Sequence, residues 1–127
     1  MSAQALTPEV ARAIQELELA FPGQVTFVGE EAGGAVVCLT DTQLSERWAP
    51  REGQLWFLIP YHYPDAAIYP YYVIGSTPTG GIIRGLQEVS WRGMPATQVS
   101  LRHNAWDPAV DNAVGSVLQT RAWLRSR

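Results

Sequence analysis

The chain has 127 residues, 46% of them hydrophobic and 17% charged, and a net charge of −3. That balance predicts one compact domain (residues 1–127), not a disordered chain. No apolar run approaches the ~20 residues of a membrane span, and no basic cluster points to nucleic acid, so neither a membrane nor a nucleic acid is an expected partner.

Thr7-Pro8-Glu9 predicts a helix start, with a hydroxyl cap, a proline in the first turn and an acid near the positive end of the dipole. Val10, Ala13, Ile14, Leu17 and Phe21 recur at helical spacing, and Pro22-Gly23 stops the helix. Residues 24–29 and 33–40 predict two strands joined by a short hairpin at Glu30-Glu31-Ala32. Residues 41–53 are polar and read as a loop, pinned by Trp48. Residues 54–59, almost wholly apolar, predict a central strand covered on both faces.

The run from Ile59 to Pro70 carries three prolines and three tyrosines, Tyr61, Tyr63 and Tyr69. Proline has no amide donor and a fixed φ, so this segment continues neither a ladder nor a helix and predicts a rigid flap. Tyr71–Ile74 predicts a fourth strand, and residues 75–85, with Gly80-Gly81, a loop. Residues 86–101 give only short extended pieces around Trp91 and Val99 and read as an irregular crossover. Asp107-Pro108 repeats the helix-start signal, and Val110, Val114, Val117, Leu118 and Leu124 predict a second helix over 108–124. The expected class is α+β, a four-stranded antiparallel meander bracketed by two helices.

All nine basic residues are arginine. A lysine-free surface offers no side-chain amine to an activated acyl group, and coding bias produces the same composition. The single cysteine, Cys38, forbids an internal disulfide and suits a reducing cytoplasm, while Met1–Thr7 lack a signal-peptide pattern. Cys38 alternates within an apolar strand and reads as a structural core thiol. His62 and His103 are the only histidines, so no metal site is expected, and no cofactor.

The Tyr63-Pro64 and Tyr69-Pro70 pairs after the third strand, followed by Trp106-Asp107-Pro108 at a helix start, resemble the ubiquitin-conjugating-enzyme superfamily. The tail from Ser100 to Asp111 resembles bacterial members of that superfamily, which sit beside ubiquitin-like proteins and activating enzymes. The resemblance implies a UBC-like fold and two partners, a β-grasp ubiquitin-like protein and an adenylating enzyme. It implies structural roles for Pro64, Pro70, Trp106 and Asp107. It places the nucleophile several residues before Trp106, where Gln98 stands near Thr97 and Ser100 and no thiol is available.

Two functions follow. The chain accepts an acyl group as an oxyester on Ser100 or Thr97, with His103 as base and Asn104 as oxyanion donor. Alternatively, it is a catalytically silent module that docks the ubiquitin-like protein or its activating enzyme. Arg12, on the polar side of the first helix with Glu9, Gln15, Glu16 and Glu18, is the expected partner contact there. The flap rings Tyr63 and Tyr69 serve either as partner contacts or as cover for the core.

Overall fold

The structure, a computed structural model, describes residues 6–81, 83–101 and 106–126. Helix α1 spans Pro8–Ala20, and the Thr7 hydroxyl accepts from the Val10 N–H at 3.1 Å, which satisfies one of the orphan donors of the first turn. Eight strands follow: β1 (Val25–Glu31), β2 (Gly34–Gln43), β3 (Trp48–Ala49), β4 (Glu52–Ile59), β5 (Tyr71–Ile74), β6 (Thr77–Pro78), β7 (Leu86–Trp91) and β8 (Met94–Val99). Helix α2, Ala113–Ser126, closes the order.

The expected four-stranded meander is corrected by a six-stranded antiparallel sheet, ordered β1-β2-β4-β5-β8-β7, beside a separate β3–β6 ribbon. An α+β class is compatible with this arrangement, but the sheet does not end at β5. The segment read as an irregular crossover is a hairpin. Arg92 and Gly93 both have positive φ, 54° and 78°, the two-residue turn whose twist matches a hairpin. β8 then pairs with β5, with Tyr71 opposite Val99 and Val73 opposite Thr97. The polar loop expected over 41–53 is also shorter, because β2 runs on to Gln43 through an irregularity after Leu39.

The second helix starts later than Asp107-Pro108 predicts. The Asp107 carboxylate accepts from the Ala109 N–H at 3.0 Å and its carbonyl from the Asp111 N–H at 2.8 Å, which closes a single turn. Asn112 then caps the helix proper, its side-chain oxygen accepting from the Gly115 N–H at 2.9 Å.

Alternation divides the sheet into two rows. Val37, Phe57, Tyr71, Val99 and Leu86 stand opposite one another in register and pack with Val10, Leu17, Val117 and Leu124 of the helices into one core. The other row, Cys38, Trp56, Tyr72 and Gln98, points away from the helices. Expected cover on both faces of β4 is therefore absent: Leu55, Phe57 and Ile59 are buried, whereas Trp56 and Leu58 are half-buried.

Arg121 ties α2 to this sheet. Its Nη2 donates to Gln24 Oε1 at 2.8 Å, the Thr40 carbonyl at 3.2 Å and Thr42 Oγ1 at 3.3 Å, and its guanidinium lies 4.9 Å from the Phe21 ring centre. Burial pulls its pKa down, while nearby Asp41 opposes that shift.

Candidate functional site

The expected catalytic segment is only partly described, since His103 and Asn104 lie outside the described residues. Thr97 sits mid-strand on the helix-facing row and is 2% exposed. Ser100 is half-buried just past β8. Its N–H donates to the Gly85 carbonyl at 2.8 Å and its hydroxyl accepts from the Gln98 amide at 3.2 Å. An amide donor holds a hydroxyl in place but removes no proton from it.

Cys38 is buried, and burial pushes its thiol up to about 11, so at neutral pH it is protonated. Arg12 lines a shallow cleft of about 310 Å³ between α1 and the turn before α2, together with Glu9 and Glu16.

The flap explains both of its tyrosine–proline landmarks. Tyr63 is 7% exposed, and its hydroxyl accepts from the Ala113 N–H at 2.9 Å at the start of α2. The Trp106 indole donates to the Pro64 carbonyl at 2.7 Å, so the two sequence landmarks meet in space. Ile68 is fully buried beside them. Tyr63 thus serves as cover and as a helix anchor. Tyr69 differs, at 39% exposed, and turns with Pro70 towards the outer row of the sheet.

There the flap forms one wall of a groove of about 320 Å³. Leu58 and Tyr72 of the sheet, Pro60, His62 and Tyr69 of the flap, and Trp91 of the distant hairpin all line it. Trp91 reaches this place because the β7–β8 tip folds back over the outer face. Tyr72 stands in register with Gln98 and Gln87, and Trp91 is four residues further along β7, ~13 Å away in a straight strand. Yet the Trp91 and Tyr72 rings stack at 4.1 Å and 12°, and Trp56 meets Trp91 edge-on at 6.0 Å.

Arg92 completes the fold-back. Its guanidinium lies 5.6 Å from the Trp91 ring centre and pairs with Glu31 at the far end of β1, although β1 and β7 are opposite edges of the sheet. Where the tip leaves the sheet plane, β8 parts from the chain after β5 and leaves a second cleft of about 550 Å³ beside Thr97.

The groove therefore offers flat aromatic faces, fixed proline rings and one carboxylate, Glu31. No cluster of histidine, cysteine and acidic groups able to hold a metal occurs among the described residues. Among these lining residues, sequence reasoning singled out His62, Tyr69 and Pro70 and missed Leu58, Tyr72 and Trp91, as it missed Trp56 behind Trp91. In Trp56-Phe57-Leu58-Ile59 both faces are apolar, so the period of two that separates core from groove is invisible. The one available signal was Arg92-Gly93, a two-residue turn between alternating segments.

Comparison of the chain with protein-family models, curated proteins and solved structures finds no match.

Proposed function

We propose that this chain is a protein-docking module that takes an extended segment of a partner into the groove between flap and hairpin tip. The observation that carries this reading is the fold-back of Trp91 onto Tyr72, which turns an open sheet face into a walled, aromatic slot. Walls built from proline-fixed chain and stacked rings lose little conformational freedom when a peptide enters, so binding energy is not spent on ordering them. Aromatic-lined grooves of this kind take extended, proline-compatible backbone.

The flap and Trp106 landmarks point to the partner class, a small β-grasp ubiquitin-like protein or the adenylating enzyme that activates it. The acyl-carrier role has weaker support: Thr97 is 2% exposed in the middle of β8, and the hydroxyl of Ser100 is held by an amide.

Mixing the protein with a β-grasp protein, its adenylating enzyme and ATP tests this. The expected result is a non-covalent complex, weakened at least about tenfold by Trp91→Ala or Tyr69→Ala, with no mass added to the chain. A base-labile adduct mapped to Ser100 or Thr97, or equal affinity in both variants, contradicts it.

A further inference from the structure

Away from the groove, the fold gathers positive charge that the chain order disperses. Arg47 comes from the loop after β2, Arg51 from the turn between β3 and β4, and Arg125 from the last turn of α2, yet all three line one cleft of about 620 Å³. The backbone that carries them is fixed. The Arg51 carbonyl accepts from the Leu44 N–H at 2.9 Å, and the Arg47 carbonyl accepts from the Thr79 N–H at 2.7 Å and its hydroxyl at 2.9 Å. The Ser45 N–H holds the end of α2 through the Leu124 carbonyl at 3.1 Å.

None of the three guanidiniums is ion-paired with a carboxylate among the described residues, and Glu46 is the one acid among the described residues lining the cleft. A chain of net charge −3 thus holds three arginines in one pre-formed cleft. Like charges gathered around one cleft repel one another, and a bound anion relieves that repulsion.

We propose that this cleft binds an extended acidic segment of a protein partner, with carboxylates spaced along the segment pairing with Arg47, Arg51 and Arg125. The planar guanidinium fork matches a carboxylate bidentately. A compact phosphate fits less well, because neither helix begins at this cleft to cradle one with its first N–H groups. The inference is independent of the aromatic groove, which lies elsewhere and has different chemistry.

Titration calorimetry of the full chain at low salt with blocked hexaglutamate, and separately with inorganic tripolyphosphate, tests it. Saturable one-to-one binding of hexaglutamate is expected, weakened roughly tenfold by each of Arg47→Glu, Arg51→Glu and Arg125→Glu and unchanged by the exposed control Arg84→Glu. Binding should fall steeply as salt rises. Absence of saturable hexaglutamate binding overturns the proposal. So does tighter binding of tripolyphosphate, which would make this a phosphate site, or an equal loss in Arg84→Glu, which would reduce it to general attraction.

Discussion

At Gly34 a side chain would have nowhere to go: a Cβ there would lie 2.3 Å from the Ile59 carbonyl oxygen, where the β1–β2 hairpin passes the start of the flap. Backbone cannot swing aside as a flexible side chain can, so Gly34→Ala is expected to cost about 1–3 kcal/mol in urea unfolding. A stability equal to that of the unaltered protein would show that the hairpin and flap are not held this close. Cys38 gives a chemical readout at the same scale. Its thiol is pushed from 9.0 to about 11 by burial, so the unfolded chain loses this proton first as pH rises. Well below pH 9 the group is neutral in both states and contributes no pH dependence. Between about 9 and 11 folding stability should decline, and Cys38→Ala should remove that part of the decline. At neutral pH a disulfide reagent should react with Cys38 only as fast as the protein opens. A rate matching an exposed thiol would contradict its burial.

Helix α2 and the β7–β8 hairpin show what pattern can and cannot convey at the scale of an element. The strong signals for α1 lay within one turn of sequence, Thr7-Pro8-Glu9 with apolar spacing behind it, and α1 forms there. The same Asp-Pro signal misplaced the start of α2, because Asp107 closes a turn and the later cap, Asn112, competes successfully for the helix. The hairpin was lost because Leu86–Val99 alternates weakly, and only its pairing with β5 fixes its faces. Arg121 of α2 makes three hydrogen bonds that reach back to Gln24, Thr40 and Thr42 across more than 75 residues of sequence. No local pattern carries such a contact. Arg121→Met keeps the length and removes the donors, and should destabilise the fold by about 1–3 kcal/mol, read by thermal or urea unfolding. A loss near zero would mean that the helix is held by its apolar face alone.

For the molecule as a whole, two surfaces compete as the docking site: the polar side of α1 around Arg12, expected from sequence, and the aromatic groove, visible only once the sheet curls. The groove draws on the flap, the outer row of the sheet and a hairpin tip, from Glu31 to Trp91 along the chain, which is why its residues escaped a linear reading. The measurement that separates the two is chemical-shift mapping of the ¹⁵N-labelled chain during titration with a β-grasp protein and, separately, with its adenylating enzyme. One of these partners is expected to shift the indole signals of Trp56 and Trp91 together with the amides of His62, Tyr69 and Tyr72, leaving those of Arg12 and Glu16 in place. Shifts confined to α1, with both indoles unmoved at saturation, would contradict it.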